Sequence, residues 1–93
     1  MKTYEAVVIF SSDENQLREG REFLRKEFES SGITITNEED MGDRLLAYPV
    51  RKNDRGHYFL YVIQSPPDPL KTISKTLKLR SEVLKFLFTR RDA

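Results

Sequence analysis

Few residues in this sequence are able to do chemistry. His57 is the only histidine and there is no cysteine, which excludes Cys–His pairs, multi-histidine metal sites and disulfides. No glycine-rich phosphate loop occurs, and Ser11 and Ser12 are explained as caps of a helix. The acidic run Glu38–Asp40 with Asp43 lacks the spacing of a calcium loop, which favours a solvated surface. We therefore expect neither an enzyme nor a bound metal or cofactor.

Basic residues are the stronger functional signal, because charge is divided unevenly along the chain. Residues 1–43 hold five Lys and Arg against eleven Asp and Glu, whereas residues 44–93 hold eleven against four. Such a basic half suits a polyanion. Five basic residues beside the first and last predicted strands are expected to converge and to contact the phosphates of a nucleic acid: Lys2, Arg80, Lys85, Arg90 and Arg91.

The length and composition fit one small domain, which we expect to span residues 1–93. The chain has 38% apolar residues, enough for a compact core. No apolar run approaches the roughly 18 residues that a membrane span needs, and the N-terminus lacks the features of a secretory signal. We therefore expect a cytosolic protein that does not associate with membranes.

Two segments predict central strands of a sheet. Tyr4–Phe10 and His57–Gln64 alternate with period two, yet both of their faces are largely apolar, which is typical of strands covered on both sides. In the second segment, Phe59, Tyr61 and Ile63 are expected to face the helices.

Two amphipathic helices and a last strand complete the pattern. The first helix is expected to begin at a capping box formed by Ser11 and Glu14 and to end at Gly32. The second is expected to use Asp68 as its cap and Pro69 as its first residue. The apolar residues expected to be buried are Leu17, Leu24 and Phe28 in the first helix and Leu70, Ile73 and Leu77 in the second; Val83–Phe88 is expected to form the last strand.

Gly20 falls on the apolar stripe of the first helix. A glycine inside a helix costs up to about 1 kcal/mol relative to alanine, so its presence needs a reason. We interpret it as a close approach between the helix and the sheet.

A long edge strand is predicted between the two helices. Ile33–Glu39 leads into Gly42–Arg51, with a bulge expected near Gly42. Pro49 has no backbone N–H, so it is tolerated at a sheet edge or a bulge. Turn-forming residues predict a hairpin loop over Arg51–Gly56.

This order of elements predicts an α+β fold of the ferredoxin-like, split βαβ kind. In this βαββαβ sandwich a four-stranded antiparallel sheet carries both helices on one face. The other face is left open, and it would expose more apolar surface than a soluble monomer normally does. The residues expected on that open face are Val7, Ile9, Tyr58, Leu60, Val62 and Leu87.

The edge strand and the open face together predict a docking site for a protein partner. Period-two alternation places Leu46 and Tyr48 on one side of the strand, where they are expected to join Leu60 and Val62. In a register shifted by one residue, Leu46 and Tyr48 would face the helices instead. The sequence leaves both registers open.

Residues Arg55–Val62 partly match the aromatic octapeptide of RNA recognition motifs. His57 and Tyr58 depart from that pattern, and the first strand lacks the companion motif. Packing of Phe59 and Tyr61 in the core is therefore favoured over stacking on RNA bases.

The sequence resembles the family of bacterial small-subunit ribosomal protein six from Lys2 to about Arg90. The matching features are Tyr4-Glu5 in the first strand, Gly42–Arg51 with its Leu-Ala-Tyr-Pro core, the turn at Gly56, and the join from Leu79-Arg80 to Val83. Leu45 and Val50 are mild departures from the family pattern.

The resemblance implies a ribonucleoprotein component of the ribosome, without enzymatic activity. It further implies binding to small-subunit (16S) ribosomal RNA together with small-subunit protein eighteen. We expect the chain to be a monomer before assembly.

Two functions of other classes compete with this one. A small phosphatase of the acylphosphatase kind needs an anion-cradling loop with an arginine after the first strand, but Phe10–Glu14 would repel an anion. A self-associating ferredoxin-like regulatory or ligand-binding domain would instead pair through the open face of the sheet.

Overall fold

A computed structural model describes residues 2–91 as four strands and two helices. They are β1 (Lys2–Ser11), α1 (Glu14–Ser30), β2 (Thr34–Val50), β3 (Asn53–Ser65), α2 (Pro67–Lys78) and β4 (Val83–Arg90). The strands form one antiparallel sheet in the order β2-β3-β1-β4. The predicted ferredoxin-like fold is confirmed, with β1 and β3 in the centre of the sheet and β2 at an edge.

One face of the sheet packs against both helices. Every second residue of β1 and β3 joins a single buried cluster with the apolar stripes of α1 and α2. Its members include Ala6, Val8, Phe10, Phe59, Tyr61 and Ile63 from the strands and Leu24, Phe28, Leu70, Ile73 and Leu77 from the helices. The intervening residues of β1 and β3 therefore lie on the open face.

Helix α1 begins later than the predicted capping box. Asp13 is the N-cap, because its backbone is extended and its carboxylate accepts a hydrogen bond from the N–H of Gln16 at 3.0 Å. Ser11 still belongs to β1, where its N–H donates to the carbonyl oxygen of Glu82 at 2.9 Å. The predicted capping box of Ser11 and Glu14 is therefore wrong.

Two glycines of the α1 region are explained by their surroundings. A Cβ on Gly20 would lie 2.8 Å from Cδ1 of Phe10, which confirms a close approach between α1 and the sheet. Gly32 has a φ of +75° just after the helix, a conformation that favours glycine and ends the helix where predicted.

Helix α2 begins earlier than predicted. Pro66 is its N-cap and Pro67 its first residue, without any side-chain capping bond. The fixed φ of proline suits the first turn of a helix, so the two consecutive prolines take the role assigned to Asp68 and Pro69.

The hairpin between β2 and β3 turns more tightly than predicted. Val50 pairs with Asn53, and the two residues between them, Arg51 and Lys52, have φ values of +49° and +66°. Positive φ at both central positions is typical of a type I′ turn, whose twist matches that of the hairpin strands. The predicted loop over Arg51–Gly56 is wrong, since only two residues form the turn. The sequence contains no sign of this, because it lacks the Asn-Gly pair that commonly indicates such a turn.

Strand β2 departs from regular pairing at three places, one of them the predicted bulge beside Gly42. The largest departure follows Leu45, where residues 46–49 of β2 face Asp54 alone. Pro49 cannot donate a ladder hydrogen bond, so regular pairing would be interrupted there in any case. The segment 46–49, called the 46–49 bulge below, therefore leaves the ladder between β2 and β3.

Candidate functional site

The 46–49 bulge lies over the open face of the sheet near the hairpin tip. It helps to line a cleft of about 160 Å³, whose walls are Ile9, Leu46, Ala47, Tyr48, Val50, Tyr58, Leu84 and Lys85. A Cβ on Gly56 would lie 2.4 Å from Cγ2 of Ile9 and 3.4 Å from Cδ2 of Leu46. Only a residue without a side chain lets both groups approach β3 so closely, and Ile9 is buried as a result.

Tyr48 lies in the same cleft but is 82% exposed. Leu46 is half-buried beside Gly56, on the open face. The assumption of strict alternation along this segment is wrong, because the bulge breaks the pairing on which period two depends. Leu46 nevertheless lies on the open face, as in the register in which it joins Leu60 and Val62.

Leu60 and Val62 lie on the same open face, but farther from the bulge. Leu60 pairs with Val7 of β1, four positions along β3 from Gly56, which corresponds to about 13 Å. Both side chains are half-buried. The four predicted docking residues therefore share one face, and Tyr58 lies between the two pairs.

The five predicted RNA-contacting residues do not converge. Lys2 begins β1, Arg90 pairs with Tyr4, and the N–H of Arg91 donates to the carbonyl oxygen of Thr3 at 2.9 Å, so these three basic residues lie at one end of the sheet. Nε of Arg91 also lies 3.6 Å from Oε1 of Glu5.

Arg80 and Lys85 lie toward the opposite end. Lys85 pairs with Ile9 on the open face, and Arg80 precedes β4. Arg80 bonds Glu82 through Nε at 2.8 Å and places its guanidinium 4.2 Å from the ring centre of Phe23. The expected convergence is wrong because five residues of extended strand, about 17 Å, separate Lys85 from Arg90.

Two acidic residues of β2, Glu38 and Asp40, have basic side chains as partners. Glu38 accepts from Arg21 at 3.0 Å and from Arg25 at 3.2 Å, while Oδ1 of Asp40 lies 2.6 Å from Nε2 of His57. Within residues 2–91, no three His, Asp or Glu side chains are close enough to share a metal ion. The only histidine is thus paired with Asp40 across the β2–β3 ladder.

Hydrogen bonds also set the acidity of two carboxyl groups in this region. The bond to His57 and then the N–H of Gly42 lower the pKa of Asp40 below its ordinary value of 3.8. The hydroxyl of Ser12 and then the guanidinium of Arg55 lower the pKa of Asp43 in the same way. Both groups are thus stabilised in the charged form.

Phe59 and Tyr61, two aromatic residues of the partial RNA-recognition octapeptide, are core residues. They are 1% and 2% exposed and face the helices. Burial raises the pKa of the Tyr61 hydroxyl. These rings are therefore closed to RNA bases, as expected, and Tyr58 is the aromatic residue that this strand offers on the open face.

Comparison with known proteins decides the family. The profile of "Ribosomal protein S6" matches residues 3–90, which is nearly the whole chain. The chain belongs to this family. It is 34% identical to small ribosomal subunit protein bS6 of Treponema pallidum (strain Nichols) over 93 residues, covering all of both chains. It is also 28% identical to bS6 of Thermus thermophilus over 85 residues, covering 89% of this chain and 84% of that one.

Solved structures agree on the fold of the S6 family. A crystal structure of 30S ribosomal protein S6 from Thermotoga maritima matches with a TM-score of 0.86 at 22% identity, covering 97% of this chain and 87% of that chain. The C-terminal domain of the MgtC protein from Mycobacterium tuberculosis matches less closely, with a TM-score of 0.69 at 15% identity and coverage of 98% and 88%. At these identities the likeness shows the fold alone.

Membership in the S6 family makes the chain a structural protein of the small ribosomal subunit, in the cytoplasm. Neither of the helices described in residues 2–91 is long and apolar enough to cross a membrane. Sequence reasoning missed Leu84, which lines the cleft together with residues of the 46–49 bulge. No local pattern identifies it, because the 46–49 bulge brings these residues together.

Proposed function

We propose that the chain binds small-subunit (16S) ribosomal RNA together with small-subunit ribosomal protein eighteen. The observation that carries this proposal is the uncovered apolar face of the sheet on a chain of the S6 family. A face of this kind needs a second surface to cover it, whereas the helix side is already closed.

Protein eighteen is assigned to the open face at the 46–49 bulge. Tyr48 is 82% exposed beside an apolar cleft, and an aromatic residue in that position suits an anchor for a protein partner. Leu60 and Val62 extend the apolar surface along β3, and Leu87, 63% exposed, extends it on β4. These residues would lose their remaining contact with water on docking.

RNA is assigned to the basic residues at the ends of the sheet. Lys2, Arg90 and Arg91 form one group, and Lys85 with Arg80 lies at the far end. Contacts between such side chains and phosphates are independent of base sequence, so they fix position rather than specificity. The distance between the groups means that they contact different parts of the RNA.

The protein side of the proposal is tested with a double variant, Tyr48→Ala with Leu60→Asp. Isothermal titration of the full chain with protein eighteen should show binding that the variant loses. Leu79→Ala is the matched control, since Leu79 is 85% exposed but follows α2 and does not line the cleft. Circular dichroism checks that each variant is folded; a folded double variant that binds at wild-type strength would contradict the proposal.

The monomeric state is tested by sedimentation of the chain alone and with protein eighteen. We expect a monomer that shifts to a one-to-one complex. A stable homodimer that protein eighteen does not dissociate would support the self-associating domain instead.

A further inference from the structure

A second cluster of basic residues forms where the hairpin tip meets the end of α2. Arg51 donates from Nη1 to the carbonyl oxygen of Arg80 at 2.8 Å and from Nη2 to the carbonyl oxygen of Lys78 at 2.9 Å. These bonds join the β2–β3 turn to a helix that is distant in sequence. They define the tip–helix cluster, which consists of Arg51, Lys52, Lys75 and Lys78, all of them exposed.

The tip–helix cluster keeps its positive charge. The ion pairs formed among residues 2–91 include none of its four side chains. Glu82, which precedes β4, already pairs with Arg80 at 2.5 Å. Asp54 is the only carboxylate that the hairpin contributes between Val50 and Arg55. Four cations therefore face solvent with one carboxylate nearby in sequence.

The C-terminal end of α2 also carries a cationic side chain from the hairpin. The last carbonyl groups of a helix carry the negative end of its dipole and normally disfavour a phosphate. Here the guanidinium of Arg51 occupies the carbonyl oxygens of Lys78 and Arg80, so that a cation covers the groups that would repel. Arg51 is thus both a cap of the helix and part of a positive surface.

We propose that the tip–helix cluster is a second contact surface for the phosphate backbone of RNA, separate from Lys2, Arg90 and Arg91 and adjoining Arg80. The inference rests on the RNA-binding function proposed above and adds a site to it. Lys75 and Lys78 lie three residues apart on one helix face, with Cβ atoms about 5–6 Å apart, so they can contact the same strand of RNA. Solvated lysines without carboxylate partners are the usual donors to phosphate.

The position of the cluster separates it from the first basic group. The hairpin tip lies beyond Gly56, which pairs with Ser11 at one end of β1, whereas Lys2 and Arg90 lie at the other end of that ten-residue strand. The separation is about 30 Å along the strand. RNA that contacts both surfaces would therefore be held at two ends of the sheet.

The salt dependence of binding tests this proposal. The full chain with protein eighteen is titrated into fragments of 16S ribosomal RNA, and the fragment that binds is studied at several salt concentrations. The variant Lys75→Ala with Lys78→Ala should flatten the slope of log K against log salt by about one unit for each lost contact. It should also weaken binding about eightfold per contact at 0.1 M salt.

Two comparison variants separate the possible outcomes. Arg18→Ala with Arg25→Ala removes the same two charges from α1 and should leave the slope unchanged. Lys2→Ala with Arg90→Ala removes charge from the first basic group and should flatten the slope. If only this last variant changes the slope, RNA binding stands and the tip–helix cluster is not part of it. If the unmodified complex does not bind the RNA, both proposals are wrong.

Directed cleavage gives an independent readout, because the chain contains no cysteine. Lys75→Cys and Lys2→Cys each provide a single attachment point for an iron chelate that cleaves nearby RNA. We expect cleavage from both positions, at different segments of the fragment. Cleavage from position 2 but not from position 75 would contradict the second contact surface.

Discussion

Nη2 of Arg51 donates to the carbonyl oxygen of Lys78 over 2.9 Å and so ties the tip of the β2–β3 hairpin to the end of α2. The last carbonyl groups of a helix have no partner within the helix itself. Arg51 supplies that partner from a distant part of the chain. The same contact fixes the tip of the hairpin, next to the 46–49 bulge, where the exposed Tyr48 lies at the open face.

Removing this connection should lower stability. We expect Arg51→Ala to reduce the free energy of unfolding by about 1–2 kcal/mol, since each of its two hydrogen bonds contributes about 0.5–1.5 kcal/mol net and both are exposed. Lys52→Ala is the control, because Lys52 also has positive φ in the same turn. Urea denaturation at neutral pH measures both. Equal losses in the two variants would show that the turn conformation matters and the bonds to α2 do not.

A methyl group at Gly20 should destabilise the protein even though alanine is the better helix former. A Cβ there would lie 2.8 Å from Cδ1 of Phe10 and 3.1 Å from Cβ of Glu82, both in the interior. Overpacking typically costs about 1–3 kcal/mol, which exceeds the gain of about 1 kcal/mol in helix propensity. We therefore expect Gly20→Ala to lower the free energy of unfolding by up to about 2 kcal/mol. Glu19→Ala, at the adjacent exposed position, should be neutral; a stabilised Gly20→Ala variant would contradict the close approach.

The element order and the core could be predicted because they depend on local patterns. Alternation in β1 and β3, together with helical spacing of apolar residues, already determines which residues face one another across the sheet. Phe59 and Tyr61 are buried and Gly20 touches Phe10 for that reason. Neither result required knowledge of a distant contact.

The candidate site was less predictable because it depends on irregular backbone and on distance along strands. The 46–49 bulge opposes Asp54 alone, a pairing that no periodicity reveals. Arg51 resembles an ordinary turn residue until α2 is placed beside it. Lys85 and Arg90 are close in sequence, but an extended strand carries them about 17 Å apart. Convergence of charge in sequence is therefore a poor guide to convergence in space.

Stability should fall in acid through two carboxyl groups. The pKa values of Asp40 and Asp43 are lowered in the folded protein by His57 and by Ser12 with Arg55. A lowered pKa means that the stabilisation is present above the ordinary value of 3.8 and is lost as the pH falls through the lower, folded value. We therefore expect the urea midpoint to be constant from about pH 6 to about pH 5 and to decrease below about pH 4.

Asp40→Asn should reduce that acid dependence, since it removes one of the titrating groups. Glu39→Gln is the matched control, because Glu39 makes no ion pair with any residue from 2 to 91. Urea unfolding of the three proteins at about pH 5 and about pH 3 measures the effect. An equally steep decrease in the Asp40→Asn variant would show that its carboxylate adds nothing to the folded state.

The docking surface can be divided by single substitutions along the open face. If the cleft beside the 46–49 bulge receives the anchor contact, Tyr48→Ala should weaken binding of protein eighteen by about 2 kcal/mol, or about 30-fold in Kd. Leu45→Ala is the matched control, since Leu45 is 68% exposed beside the bulge but does not line the cleft. Val62→Ala, at the far end of the face, should have a smaller effect because it lies several residues along β3 from Tyr58. Titration calorimetry of the three folded variants gives the order of their losses in affinity for protein eighteen. A larger loss for Val62→Ala than for Tyr48→Ala would show that the anchor contact lies at the opposite end of the sheet and not at the bulge.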